Sequence, residues 1–289
     1  MSERDSGSIG LLYVVGMPIG NVDDLGRRAI AVLAEADLIA CEDTRRIAPL
    51  LASHGIRTRT LSYFEHNEER RTPELVERMR SGARVALVTD AGTPAISDPG
   101  FRLVRATHKA GIGVGAIPGP CAVTAALSVA GLPTDRFTFE GFLPARPTAR
   151  RRILRELQEE RRTMVFFESA RRLCVVLAEM AEVFGGDREA SVAREIGKTH
   201  EEIVSASLDA LMSRFAEKPA LGEVALVIAG APHQGAAKGR SAAMTIEMLC
   251  EAGLSLKQAS AVIARLSGRS RRDIYQAALA SRRTDGTNG

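Results

Sequence analysis

Through the first 130 residues, short apolar runs alternate with longer segments whose apolar positions recur every three or four residues. The runs LLYVV, DLIAC, RTRTLSY, RVALVTD and GIGVGAI read as strands. Between them the spacing predicts helices near Leu25–Ala36, from about Thr44, near Pro73–Ser81, after Pro99 and after Pro120. This β-α-β rhythm predicts a largely parallel sheet covered by helices. The segment GLPTDRFTFEGFLP, rich in proline and glycine, reads as a crossover into a second domain. There FTFEGF, TMVFFE, EASVARE, EEIVSA and EVALVIAG are strand-like, with a basic helix after the first and further helices near Arg171–Phe184 and Leu208–Phe215. Consecutive strands without an intervening helix predict some antiparallel pairing, and hence a mixed sheet.

After Gly230 the stretch APHQGAAKGRS is a small, polar linker. Three short helices are expected beyond it, at Ala242–Cys250, Ser255–Leu266 and Ser270–Ala280. Ser255 with Gln258 fits a capping box, Gly268 is placed to end the second helix, and Ser270 to cap the third. The expected class is therefore α/β, with two α/β domains, 11–133 (largely parallel) and 134–230 (mixed). A linker at 231–241 and a helical extension at 242–281 follow, with disordered ends at 1–10 and 282–289.

Composition narrows the class of protein. Of 289 residues 45% are apolar and 26% charged, which fits a soluble globular chain. No apolar run is long enough to span a bilayer, and MSERDSGSIG is too polar for a signal peptide, so a cytoplasmic protein without membrane contact is expected. Cys41, Cys121, Cys174 and Cys250 are widely separated, and five histidines show no ligand spacing; neither a disulfide framework nor a metal site is expected. Net charge is only +4, but it is unevenly placed. Lys257, Arg265, Arg269, Arg271, Arg272, Arg282 and Arg283 face Asp273 alone, and a second cluster holds Arg146, Arg150, Arg151, Arg152 and Arg155. Both suit a polyanionic partner, or are solvated helix faces.

Three loops at strand ends carry the candidate chemistry. GMPIGN, Gly16 to Asn21, has glycines that let the backbone approach a ligand, but not the dinucleotide spacing. In DAGTPAISDPG, Asp90, Gly92 and Thr93 offer polar contacts where open α/β sheets bind ligands, whereas Asp98-Pro99 reads as a structural helix cap. In IPGPCAVTAAL a helix starts at the sheet edge, either beside a flat ligand or merely closely packed.

PIGN, CEDTRR, EHNEERR, DAGTPAISDPG, PGPCAVTAAL, FEGFLP, FFES, AREIGKTHEE and GEVALVI occur in an order and spacing that resembles the ribosomal RNA small-subunit methyltransferase I family, a branch of the tetrapyrrole-methylase-like (class III) enzymes. The resemblance covers Leu11 to Gly230, and SLKQASAVIARLSGRSRRDIYQAAL is similar to that family's helical extension. It implies two α/β domains with S-adenosylmethionine in the cleft between them, a homodimer, and methylation of the 2′-hydroxyl of a cytidine in the decoding region of 16S rRNA. The cofactor contacts it implies are Pro18, Gly20, Asp90, Gly92, Thr93, Ile96, Cys121, Ala122, Phe167, Glu168, Arg194, Glu195, Ile196 and Ala229. The chain departs from the usual pattern at Met17, Cys121, Ala170-Arg171 and Gly197.

A ribose hydroxyl is a poor nucleophile until its proton is taken or its developing charge is stabilised. The polar strand-end residues are Glu42, Asp43 and Arg45, with Glu195, Lys198 and His200. Asp43 or Lys198 is expected to handle the proton and Arg45 to hold a phosphate; the competing reading makes Glu42, Asp43 and Arg45 a helix cap with a salt bridge. His66 and Asn67 either bind RNA or close a loop. With aromatics at 4%, contacts to RNA shape and backbone within an assembled small ribosomal subunit fit better than extensive base stacking. The alternatives are a small-molecule methylase of the tetrapyrrole type and a non-catalytic RNA-binding assembly factor.

Overall fold

The structure is a computed structural model that describes residues 10–232, 246, 248–250, 253–267 and 270–284. The chain divides into two compact units, Met1–Ala229 and Gly230–Gly289.

Unit one holds two five-stranded sheets. The first contains β1 (Leu11–Val15), β2 (Leu38–Cys41), β3 (Thr60–Ser62), β4 (Arg84–Leu87) and β5 (Gly113–Ile117) in the order β3-β2-β4-β1-β5, with every pairing parallel. Its central strands β2 and β4 are buried on both faces. α1 (Arg27–Glu35) and α2 (Thr44–Ser53) cover one face, where Ala29, Leu33, Ile47 and Leu51 pack on Val15, Ile39 and Ala86. α3 (Glu68–Arg80) and α4 (Phe101–Lys109) cover the other, where Leu75, Met79 and Leu103 meet Leu12, Val85 and Leu87. The chain leaves β1 toward the first face and β4 toward the second. Because β1 and β4 are neighbours, the sheet has its topological switch point between them, where a crevice opens beyond the strands' carboxyl ends.

The second sheet has the order β6-β7-β10-β8-β9, made of β6 (Phe137–Phe142), β7 (Thr163–Ser169), β8 (Glu189–Arg194), β9 (Glu202–Ser207) and β10 (Glu223–Ile228). Only β6 and β7 pair in parallel, so the sheet is mixed, as the uninterrupted strand pair predicts. α6 (Pro147–Glu156), α7 (Leu173–Phe184) and α8 (Leu208–Glu217) bury one face of it. Its other face is covered by α5 (Ala122–Ala130), whose Val123, Ala126, Leu127 and Ala130 pack on Val165, Ala193, Ala225 and Val227. α5 buries this apolar face and leaves Thr124, Ser128 and Val129 exposed on the other. Although the sequence places it in the first domain, it joins the two sheets.

Several boundaries differ from expectation. α3 starts at Glu68, before Pro73: the acidic Glu68 and Glu69 complement the helix N-terminus, and the proline is carried inside the helix. Asn67 closes the preceding turn, its Oδ1 accepting from Phe64 N and its Nδ2 donating to Ser62 O. Asp98 is not the cap of α4, which begins at Phe101 after Gly100. Gly10 is ordered and buried, its N–H donating to Met79 O. The cluster at 146–155 is not a uniform basic surface. Arg150 is 4% exposed and forms a two-pronged ion pair with buried Glu179, Arg151 joins the same carboxylate, and Arg152 pairs with Glu156.

In unit two, α9 (Leu256–Ser267) and α10 (Arg271–Thr284) enclose a small core of Ile246, Ala259, Ile263 and Ile274. The expected capping box forms: Ser255 N donates to Gln258 Oε1 at 3.0 Å and Gln258 N to Ser255 Oγ at 3.4 Å. α10 runs three residues past the expected boundary at 281. Of the helix expected at Ala242–Cys250, residues 246 and 248–250 are helical; its other residues, Gly268 and the linker from 233 onward lie outside the described residues.

Candidate active site

The loops leaving β1 and β4 are zipped at the switch point by a two-way backbone contact: Met17 N donates to Gly92 O at 2.8 Å and Gly92 N to Met17 O at 3.2 Å. Met17, one of the departures from the family pattern, is 1% exposed, so this position serves the core rather than a ligand. The β1 and β5 loops meet as closely. A Cβ on Gly16 would lie 2.7 Å from Gly119 Cα, so only glycines permit that crossing. A Cβ on Gly20 would lie 2.6 Å from Ile196 O and 2.7 Å from Gly197 C. The GMPIGN glycines therefore let backbone approach backbone, and the β1 loop is seated against the loop after β8.

Between these loops, the start of α5 and the edges of β7, β8 and β10 lies a cavity of ≈ 300 Å³. It takes in Gly92, Thr93, Ile96, Cys121, Ala122, Phe167, Glu168 and Ile196, eight of the fourteen residues expected to contact a cofactor. The other six, Pro18 included, do not line it. Gly20 belongs to the loop contact just described. Asp90 is engaged by protein, Oδ1 accepting from Asp43 N at 3.2 Å and Oδ2 from Arg46 at 2.7 Å. Arg194 pairs with Glu202 at 3.0 Å. Glu195, in a left-handed conformation at φ 52°, accepts from Lys198 and from Glu223 N. Ala229 sits past the opposite end of β10 from Glu223, about 20 Å away along an extended strand.

The cavity also recruits Asp98, which the sequence reads as a helix cap, and residues that the sequence did not single out: Ile19, Ser97, Phe142, Ala193 and the stretch Gly222 to Ala225. An exposed aromatic in FEGF was the one available signal. Phe142 is 60% exposed and stacks edge-on against Phe167, with centroids 5.6 Å apart. The β10 residues could not be found without knowing that this strand runs antiparallel to β7, which brings its start to the cavity.

The lining is mostly apolar, with three carboxylates, Asp98, Glu168 and Glu223, and no lysine, arginine or histidine among the described residues. Glu168 is buried against Arg172, 3.0 Å away, and accepts from Ser169 N. Burial, then repulsion from Glu42, Asp90 and Glu223, raises the Asp98 pKa to about 6.

The residues expected to move the proton lie outside this lining. Asp43 caps α2 by accepting from Arg45 N at 2.9 Å and is clamped by the Arg45 guanidinium, which pulls its pKa down to about 2. Lys198 is held by Glu195 and Glu223, whose hydrogen bonds outweigh its desolvation and raise its pKa, so it stays protonated. Neither is a base suited to neutral pH. The cap-and-salt-bridge reading describes Asp43 and Arg45, while burial and the nearby Asp90 raise the pKa of Glu42.

A parallel sheet whose switch point is roofed by a second, mixed sheet over an acidic, apolar-walled cavity defines a two-lobed methylase, and residues 11–212 match the family model described as Tetrapyrrole (Corrin/Porphyrin) Methylases. The methyltransferase CobJ shares the fold, with TM-score 0.57 and 21% identity, covering 77% of this chain and 95% of its own. Residues 242–282 match the RsmI C-terminal HTH domain. The Ribosomal RNA small subunit methyltransferase I of Pseudomonas aeruginosa is 46% identical over 276 residues, 94% of this chain and 98% of that protein. The protein of that name from Mycobacterium tuberculosis is 46% identical over 283 residues, 96% and 98% of the two chains. The chain belongs to the ribosomal RNA small subunit methyltransferase I family.

Proposed function

We propose that this protein methylates the 2′-hydroxyl of a cytidine in 16S rRNA, using S-adenosylmethionine, and that it acts in the cytoplasm, as a homodimer, on the small ribosomal subunit. The carrying observation is the character of the cavity. Its volume of ≈ 300 Å³ lies at the lower end of the range for small-molecule sites, about 300–1,000 Å³. An acidic lining with no basic residue suits a ligand bearing sulfonium and ammonium charges and would repel a phosphate-bearing nucleotide. When bound, the cofactor supplies an electrophilic methyl group.

The chain's own residues bind and orient. Phe142 and Phe167 would offer an aromatic surface to a purine, Ile19, Ile96 and Ile196 would exclude water, and the lining carboxylates would attract an ammonium. Gly92, Thr93, Cys121 and Ala122 bring backbone close to the ligand. Arg45, whose side chain is 88% exposed although paired with Asp43, could turn from that carboxylate to an RNA phosphate. Lys257, Arg265, Arg271 and Arg272 are exposed on unit two, consistent with phosphate neutralisation by that unit.

The test is incubation of undermethylated small subunits with labelled S-adenosylmethionine and the purified chain, followed by mass mapping of the RNA. Label on a cytidine ribose is expected; label on a base, or none, would refute the proposal. Removing residues 230–289 should abolish labelling of subunits yet leave cofactor binding intact.

A further inference from the structure

We infer that Asp98 takes the proton from the substrate hydroxyl, an inference that rests on the methyl transfer proposed above. Of the three carboxylates lining the cavity, Glu168 is held by Ser169 and Arg172 and is 1% exposed, while Glu223 accepts from Lys198. Asp98 alone accepts no hydrogen bond from any described residue. The groups around it leave it so. Glu42 from the β2 end, Asp90 from the β4 end and Glu223 from β10 are all acidic, and the neighbouring cations are committed, Arg46 to Asp90 and Lys198 to Glu223.

Asp98 is also placed by strain. Ala95 and Ser97 both adopt left-handed backbone conformations, at φ 71° and 61°, and so fold the loop so that Ile96, Ser97 and Asp98 all line the cavity. Such non-glycine conformations persist where function repays them. The position fits the role: Asp98 lines the cavity and is near enough to Glu223, whose side chain is 81% exposed, for the two carboxylates to repel each other. The Glu168 side chain, by contrast, is enclosed beside Arg172.

A carboxylate with a pKa of about 6 is ionised at neutral pH, yet far more basic than Asp43 at about 2. As the 2′-oxygen forms its bond to the methyl carbon, that carbon's bond to sulfur breaks and the bonding pair stays on sulfur, leaving a neutral thioether. The hydroxyl proton passes to Asp98 Oδ and from there to water, which restores the carboxylate.

The test compares the full-length protein with Asp98→Asn and Asp98→Glu on undermethylated small subunits. Three readouts are taken: kcat against pH, S-adenosylmethionine Kd by calorimetry, and the thermal unfolding midpoint at pH 7.5. In the wild type, kcat should rise with pH through about 6. Asp98→Asn should lower kcat by about 10²-fold or more and abolish that limb. It should weaken Kd far less than it lowers kcat, since Glu168 and Glu223 remain in the lining, and raise the midpoint, because an unpartnered, half-buried charge has been removed; Asp98→Glu should recover part of kcat. A purely structural residue would lower the midpoint instead. Near-wild-type kcat in Asp98→Asn sinks the inference alone, as does a Kd that weakens in step with kcat, which would make Asp98 a binder of the donor's ammonium. A wild-type protein that labels no RNA sinks the functional proposal and this inference with it.

Discussion

Substituting Gly20 by alanine tests whether the cavity depends on the seating of the β1 loop against the loop after β8. The added Cβ would lie 2.6 Å from Ile196 O, 2.7 Å from Gly197 C and 2.7 Å from Lys198 Cγ. Carbon and carbonyl oxygen settle at about 3.3 Å or more, so the loops must part by roughly 0.7 Å. Two of the three obstacles are backbone and cannot swing aside. Inserting a group into a packed contact costs about 1–3 kcal/mol, and a middle value lowers the unfolding midpoint by roughly 4–8 °C for a unit of this size. Ile19 and Ile196 line the cavity from the two displaced loops, so cofactor binding should weaken with them, by about tenfold for 1.4 kcal/mol of lost contact. Differential scanning calorimetry gives the midpoint and titration calorimetry the Kd. Gly26→Ala, where a Cβ meets nothing within 4 Å, is the control and should leave Kd unchanged. If Gly20→Ala matched wild type in both midpoint and Kd, the loops would not meet in solution as described.

Glu179→Ala should destabilise the second sheet's helical layer by about 3 kcal/mol, because it strands the buried Arg150 guanidinium; Arg150→Met with Glu179→Leu should recover much of that loss in denaturant titration. The Arg150 hydrogen bonds lower the Glu179 pKa below 4.5, so this pair's contribution is present above that pH and lost as pH falls through the depressed value. Acid unfolding of the double variant should accordingly be less steep. Ser255→Ala, which removes the capping box in unit two, should cost about 1 kcal/mol and speed amide exchange at Gln258 and Ala259. Cys41, buried with its Sγ donating to Leu61 O, has its pKa pushed up to about 12, first by burial and then by Asp90 and Asp43; mass spectrometry should find it unalkylated in the native protein at pH 8 and alkylated on unfolding.

The period of apolar positions determined both sheets, because a strand buried on two faces and a helix buried on one leave distinct signatures in short windows. LLYVV, RVAL and EVALVI could hardly be anything else. The Ser255 box was equally legible, and the Asp43 cap was one of two readings the sequence left open, since a cap is a bond between residues close in sequence. What tertiary structure alone decided was which polar groups find partners. Asp90 and Arg150 look available in the sequence and are consumed by Arg46 and Glu179, 44 and 29 positions away. Asp98 looks like a cap and instead is left without a partner among carboxylates from three separate elements. Burial and long-range pairing set the charge state of such groups, and neither is encoded by neighbours along the chain; strand direction likewise put Glu223 at the cavity and Ala229 at the far end of the same strand.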